Sequence, residues 1–125
     1  MKKIGHFING EEVFDGTKTI NLFNPNNGEK IGIVSIASDE IIDNAINSSI
    51  KAYNQWQNLS IAKRSSILFR YKVLLENNIE KVAELVSLDL GKVKDDAIGE
   101  IRRGIENVEY SCAVGEILKG EFNKN

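Results

Sequence analysis

Two residue types with catalytic potential lie close together near the end of the chain, in the stretch EIRRGIENVEYSC at residues 100–112. This stretch contains the only cysteine of the chain and a pair of adjacent arginines. A cysteine thiolate can attack a carbonyl carbon, and an arginine guanidinium can grip both oxygens of a carboxylate. The question is therefore whether Cys112 and an arginine perform covalent chemistry on an anionic substrate.

The apolar residues that lead to Cys112 have helical spacing. They form a seam with intervals of three, four, three and four residues, made of Ile98, Ile101, Ile105, Val108 and Cys112. A free cysteine on such a seam behaves as a small hydrophobic residue, whereas a reactive thiolate needs an electropositive, partly exposed setting. The pattern favours a structural role for Cys112 over a nucleophilic one.

The arginines lie off this seam. Arg103 follows Ile101 by two residues, which is about 200° around a helix of 3.6 residues per turn. It shares a face with Asn107 and Tyr110, at intervals of four and three residues. We predict that Arg103 points away from the apolar seam, among other side chains that form hydrogen bonds.

Two interpretations of the arginines remain open from spacing alone. Glu100 lies three residues before Arg103, and Arg102 lies four before Glu106, so both arginines can form ordinary ion pairs on a solvated helix face. Gly104 favours a second interpretation, because a glycine in a helix interior costs about 1 kcal/mol relative to alanine. Its place beside Arg103 indicates a close approach by another backbone or by a ligand.

Composition narrows the class of protein. The chain has 125 residues, the size of one domain or part of one, and its net charge of −2 comes from signs that are mixed along the sequence. This favours neither nucleic acid nor a membrane surface as a partner. The apolar run that follows Lys2 and Lys3 is too short and too broken for a signal peptide, so we expect a cytoplasmic protein. With one cysteine and His6 as the one histidine, we predict no disulfide and no metal site.

The secondary-structure elements that position the arginines are indicated by a change in the spacing of apolar residues along the chain. Up to residue 36 the pattern is that of strands and turns, with a turn at Asn9-Gly10 and another over residues 25–28. From Ser38 onward the pattern is helical and predicts about four helices. Their expected boundaries are N-caps at Ser38 and Ser60, a break at Asn77-Asn78, a stop at Gly91 and an acidic first turn at Asp95 and Asp96.

Several motifs together resemble a known family. HFINGEEV, LFNPNNGEKIGIV and LVSLDLGK resemble the N-terminal segment of the aldehyde dehydrogenase superfamily, and GEIRRGIENVEYSC is similar to the segment GEVxRGIENVEF of its methylmalonate-semialdehyde branch. The resemblance covers essentially the whole chain. It implies an α/β fold of the aldehyde dehydrogenase type, to which this chain contributes short antiparallel β-hairpins followed by about four α-helices.

The resemblance also implies a reaction. In this coenzyme-A-acylating branch a cysteine attacks a semialdehyde, hydride passes to NAD, and the acyl group passes to coenzyme A with loss of the substrate's carboxylate carbon. Two arginines hold the substrate carboxylate, and the first of them, immediately before GIENVE, corresponds to Arg103. The position of Cys112 corresponds to an ordinary small residue, and Arg102 falls at an unspecified position.

The resemblance assigns the remaining machinery to parts that this chain lacks. Residues 1–125 correspond to the N-terminal segment of the NAD-binding domain, with strands and turns over 1–36 and mostly helix over 37–125, and the catalytic domain is absent. No glycine-rich phosphate-binding motif occurs, so neither NAD nor coenzyme A is expected to bind this chain alone. The family implies a homotetramer. The alternative is a small helical interaction module, or a remnant of another aldehyde dehydrogenase, without chemistry of its own.

Overall fold

The computed structural model describes residues 1–121, and residues 122–125, the end of the expected helical region, lie outside this described part. The chain divides after Asn58 into two compact units. The first unit has five strands and one helix: β1 (Lys2–Ile4), β2 (His6–Ile8), β3 (Glu11–Val13), β4 (Thr19–Phe23), β5 (Lys30–Ser35) and α1 (Asp39–Trp56). The second unit has the helices α2 (Ile61–Asn77), α3 (Ile79–Leu90), α4 (Lys94–Cys112) and α5 (Val114–Ile117). The predicted sequence of hairpins followed by helices is confirmed.

Both predicted hairpins are present in the first unit. β2 and β3 pair in antiparallel fashion around the two-residue turn Asn9-Gly10, in which both residues have positive φ, as this tight turn requires. β4 and β5 pair in antiparallel fashion around the Asn-rich turn, where the backbone N–H of Asn24 donates to the carbonyl of Glu29 at 2.8 Å.

The first strand adds a feature that the pattern did not predict. β1 pairs in parallel with β5, opposite residues Gly32 to Val34, so the sheet is mixed and has the order β1-β5-β4. A Cβ on Gly32 would lie 2.7 Å from the carbonyl oxygen of Lys2. The close approach of β1 therefore depends on glycine at position 32.

The helix boundaries follow the predicted caps. The hydroxyl of Ser38 accepts from the N–H of Ile41 at 3.4 Å, and that of Ser60 accepts from Lys63 at 3.3 Å, so α1 and α2 begin where the sequence indicated. α3 ends at Gly91, whose φ of 68° is the left-handed conformation of a helix C-terminus. The short helix α5 lies beyond the four predicted helices.

The two units bury their helices to different degrees. In the second unit α4 packs against α2 and α3, and the buried apolar residues are Ala83, Ala97, Ile105 and Cys112. In the first unit α1 buries no residue, although apolar residues recur along it at helical spacing. None of the helices among residues 1–121 is both long and apolar enough to cross a membrane.

Ion pairs link the helices of the second unit at its surface. The ammonium of Lys72 on α2 lies 2.9 Å from Glu76 and 3.5 Å from Glu109 of α4. Lys94 on α4 lies 2.7 Å from Glu80 of α3. Because exposed pairs of this kind contribute little to stability, the buried apolar residues hold α4 in place.

Candidate functional site

Arg103 lies at the middle of α4 and is exposed, on the side away from the buried residue Ile105, as its spacing predicted. Within residues 1–121, the ion pairs of α4 involve Lys94, Glu100 and Glu109, and none involves Arg103. The guanidinium therefore keeps its hydrogen-bond donors for solvent or for a ligand.

Glu100, one helical turn before Arg103, is engaged elsewhere. Its carboxylate lies 2.6 Å from the ammonium of Lys92. Lys92 lowers the pKa of Glu100 through this hydrogen bond and through its charge, and the nearby charge of Arg103 adds a smaller lowering. The ion pair between Glu100 and Arg103 that the spacing allowed is absent among residues 1–121, and Glu100 pairs instead with Lys92, at the junction between α3 and α4.

The other polar residues on this face behave differently from one another. The side-chain amide of Asn107 donates to the backbone carbonyl of Arg103 at 3.0 Å, so it is turned back onto the helix. Tyr110 is 71% exposed. Of the three side chains predicted to share this face, Arg103 and Tyr110 are exposed to solvent. The amide N–H of Asn107 is already used in a hydrogen bond to the helix backbone.

Open space surrounds the backbone beside Arg103. A Cβ added to Gly104 would meet no atom within 4 Å, and the same holds for Gly99. The predicted close approach at Gly104 therefore has no counterpart among residues 1–121.

Cys112 and Arg102 lie apart from this open side. Cys112 is 5% exposed, and its backbone carbonyl accepts a hydrogen bond from the hydroxyl of Ser65 on α2. A thiol buried in the helix contact is inaccessible to an aldehyde, which agrees with the structural interpretation. Arg102 is exposed and lines an open surface groove of about 300 Å³ with Ile79, Ile105 and two glutamates.

Comparison with known proteins identifies the family. The model of the "Aldehyde dehydrogenase family" matches residues 13–125. The chain belongs to the aldehyde dehydrogenase family. Among curated relatives of this aldehyde dehydrogenase chain, the malonate-semialdehyde dehydrogenase of Pseudomonas aeruginosa is 45% identical over 125 residues, which are 100% of this chain and 25% of the relative. The malonate-semialdehyde dehydrogenase 2 of Oceanobacillus iheyensis is 38% identical over 97% of this chain and 25% of the relative.

Solved structures agree with this assignment. The crystal structure of methylmalonate-semialdehyde dehydrogenase from Oceanimonas doudoroffii superposes with a TM-score of 0.94 and 42% identity, over 100% of this chain and 26% of that chain. A methylmalonate-semialdehyde dehydrogenase structure from Sinorhizobium meliloti, complexed with NAD, gives a TM-score of 0.93 and 34% identity over 99% and 26%. The aldehyde dehydrogenase chain thus spans about a quarter of the length of these relatives.

Proposed function

We propose that this chain is the N-terminal part of the NAD-binding domain of a methylmalonate- or malonate-semialdehyde dehydrogenase. The similarity to relatives with these names, at up to 45% identity over the whole chain, supports the assignment. The complete enzyme oxidises a semialdehyde to an acyl-coenzyme A, with NAD as the hydride acceptor and coenzyme A as the acyl acceptor. It acts as a cytoplasmic homotetramer.

The role proposed for this chain is to hold the substrate carboxylate through Arg103. The observation that carries this role is the exposed Arg103, whose side chain has no ion-pair partner among residues 1–121 and is followed in the helix by Gly104, where a Cβ would meet no atom within 4 Å. A planar guanidinium can donate two parallel hydrogen bonds to a carboxylate and so fix the orientation of the molecule that carries it. Such a grip positions the aldehyde carbon for attack by a nucleophile from outside this chain.

The chemistry itself belongs to residues that this chain does not contain. Its single cysteine is buried, and its sequence has no glycine-rich phosphate-binding motif. We therefore expect no NADH to form when the 125-residue chain is incubated with malonate semialdehyde, NAD and coenzyme A, as followed by absorbance. NADH production that Cys112→Ser abolishes would contradict both this expectation and the structural interpretation of the cysteine.

The substrate role of Arg103 can be tested in a chimera in which this chain replaces the matched 25% of the Pseudomonas aeruginosa relative. Arg103→Lys keeps the charge and loses the two-pronged grip, so transition-state stabilisation for malonate semialdehyde falls by about 1–3 kcal/mol. Propanal has no carboxylate, and its kcat/KM changes little. The measured quantity is the ratio of kcat/KM for the two aldehydes.

The neighbouring arginine provides the matched control for this experiment. Arg102→Lys makes the same chemical change one residue earlier, on a different side of α4, and leaves the ratio unchanged. An equal fall for both aldehydes in Arg103→Lys would assign Arg103 to folding or assembly instead of substrate binding.

Exposure of the apolar seam on α4 would favour the alternative function, a small helical interaction module. Ile105 and Cys112 are 8% and 5% exposed, and the other seam residues are half-buried. Since the seam is used largely inside the second unit, it gives the alternative no support.

A further inference from the structure

Two carboxylates flank Arg103 on α4. Glu100 lies three residues before it and Glu106 three residues after it, and side chains at this interval are neighbours on a helix. Glu106 lines the same groove as Arg102, which lies four residues before it. Glu100 has no cationic neighbour three or four residues away on α4 other than Arg103. A carboxylate in this position could occupy the Arg103 guanidinium in place of a ligand.

Glu100 is held instead by a lysine that precedes the helix. The ammonium of Lys92, two residues before α4 begins, donates a hydrogen bond to Oε2 of Glu100 at 2.6 Å. A short contact between opposite charges is among the stronger hydrogen bonds of proteins. Lys92 is the main cause that lowers the pKa of Glu100, and the charge of Arg103 adds the smallest contribution. The carboxylate is therefore close enough to sense Arg103, but it is bound by Lys92.

The backbone keeps Lys92 within reach of Glu100. α3 ends at Gly91, whose left-handed φ of 68° turns the chain immediately before Lys92. The hydroxyl of Ser87, in the last turn of α3, donates to the backbone carbonyl of Lys92 at 2.6 Å. Lys92 therefore extends from a defined point of the α3–α4 turn, and none of these contacts involves Arg103.

We infer that Lys92 is a positioning residue of the substrate site: it binds the Glu100 carboxylate and so leaves Arg103 free for the carboxylate of the substrate. The inference rests on the proposed function of Arg103. Without Lys92, Glu100 would be an unpaired carboxylate one helical turn from Arg103 and would compete with the substrate. The apparent affinity for the substrate would then fall in proportion to the fraction of Arg103 that is still unpaired.

Removal of the lysine tests this role in the chimera with the Pseudomonas aeruginosa relative. Lys92→Met should raise KM for malonate semialdehyde roughly two- to six-fold, because an ion pair of ordinary surface strength would then occupy Arg103 for part of the time. Saturating substrate displaces Glu100, so kcat changes little. Neither constant changes for propanal, which has no carboxylate.

Lys94→Met is the matched control. It removes an ammonium that lies 2.7 Å from Glu80 and 3.4 Å from Glu84, and so breaks another contact between α3 and α4. The carboxylates that it releases belong to α3 and not to the helical turn before Arg103. We expect KM for malonate semialdehyde to stay unchanged in this variant.

Substitution of Glu100 separates the positioning role from a purely structural one. Glu100→Gln breaks the same ion pair but leaves no carboxylate to compete, so KM for malonate semialdehyde stays at or below its original value. Combining Glu100→Gln with Lys92→Met restores the original KM, and Lys92→Arg, which keeps the pair, does not change it. If the pair only held α3 against α4, both single variants would impair both aldehydes alike and the double variant would not recover.

Two results would overturn the inference. One is an unchanged KM for malonate semialdehyde in Lys92→Met. The other is a raised KM in Glu100→Gln, which would mean that Glu100 supports the binding of substrate, and this measurement holds even if Lys92→Met is insoluble.

The Arg103→Lys chimera shows which proposal has failed. If Arg103→Lys selectively impairs malonate semialdehyde while Lys92→Met has no effect, the inference about Lys92 is wrong and the proposed function stands. If Arg103→Lys impairs both aldehydes alike, the proposed function of Arg103 is wrong and the inference fails with it.

Discussion

Helices α1 and α4 have similar lengths, 18 and 19 residues, and each begins with two acidic residues in its first turn and carries an apolar face. Their burial differs completely. α4 buries Ala97, Ile105 and Cys112 against its neighbours, whereas α1 buries no residue. The comparison teaches that periodicity determines which face of a helix is apolar but not whether the same polypeptide supplies its partner.

The largest expected effect is the loss of stability when an isoleucine of α4 is shortened to alanine, compared with the same change on α1. Ile105→Ala removes a side chain that is 8% exposed and leaves a cavity, so the free energy of unfolding falls by about 2–4 kcal/mol. Ile50→Ala removes a side chain that is 57% exposed and costs less than about 1 kcal/mol. Urea unfolding followed by circular dichroism measures both, and equal losses would show that α1 and α4 are equally packed.

Replacing an alanine with the larger leucine also tests the difference in packing between the two units. Ala83 on α3 has no exposed surface, so Ala83→Leu overpacks the contact with α4 and destabilises the chain by about 1–3 kcal/mol. The control Ala52→Leu adds the same atoms to an exposed position of α1 and changes stability by roughly 0.5 kcal/mol or less. Tolerance of Ala83→Leu with unchanged Tm would contradict tight packing of α3 on α4.

The N-caps are expected to behave alike in the two regions. Ser38→Ala and Ser60→Ala each remove one hydrogen bond to a backbone N–H at the start of α1 and α2, at a cost of about 1 kcal/mol. The cap acts locally and does not need tertiary burial. Substituting Ser38→Asp, which retains a capping oxygen, should restore most of the loss. If only Ser60→Ala has an effect, α1 is not a well-formed helix in the isolated chain.

Substitution of Gly104 is expected to have opposite effects on the stability of the isolated chain and on the activity of the complete enzyme. Gly104→Ala meets no atom within 4 Å, so in the isolated chain it stabilises α4 by about 0.5–1 kcal/mol. Gly91→Ala is the control, because its φ of 68° makes alanine unfavourable and lowers stability. In the chimera we expect Gly104→Ala to weaken activity toward malonate semialdehyde. A stabilised isolated chain with a fully active chimera would show that nothing approaches this glycine closely.

The smallest expected effect concerns the ion pair beside Arg103. Lys92 lowers the pKa of Glu100 in the folded chain below its ordinary value of 4.5. The pair therefore contributes stability at pH values above that ordinary value, and the contribution is lost as the pH falls through the lowered pKa. Lys92→Met should reduce the acid-induced loss of stability slightly, as measured by Tm between pH 3 and 7. The control Lys51→Met, on exposed α1, should leave the pH profile unchanged.

The accuracy of the sequence predictions depended on how far apart the interacting residues lie. Ser38, Ser60 and Gly91 act on residues within four positions, so the helix ends could be read directly from the sequence. The parallel pairing of β1 with β5 could not be predicted in this way. A strand of three residues has too short a pattern to indicate which distant strand it pairs with. α5, with four residues, is too short to show a helical period.

The same reasoning applies to the candidate site. The angle between Ile101 and Arg103 was sufficient to place Arg103 on the outer side of α4, since that angle is a property of one helix. Glu100 pairs with Lys92 and not with Arg103. This pair could not be predicted, because it forms only when the turn between α3 and α4 brings two residues eight positions apart together. No atom of residues 1–121 lies within 4 Å of a Cβ on Gly104, so the close approach expected there stays a prediction, and its test is the chimera.

The pairing of β1 with β5 has a consequence for the order in which the first unit folds. β4 and β5 close a short turn and can meet early, whereas Lys2 must find Gly32 across a much longer loop, at a greater loss of chain entropy. β1 should therefore join the sheet last and leave it first. In hydrogen exchange, the amides that link β1 to β5 should lose protection before those that link β4 to β5. Gly32→Val, which closes the space that β1 occupies, should remove the first set of protected amides and preserve the second.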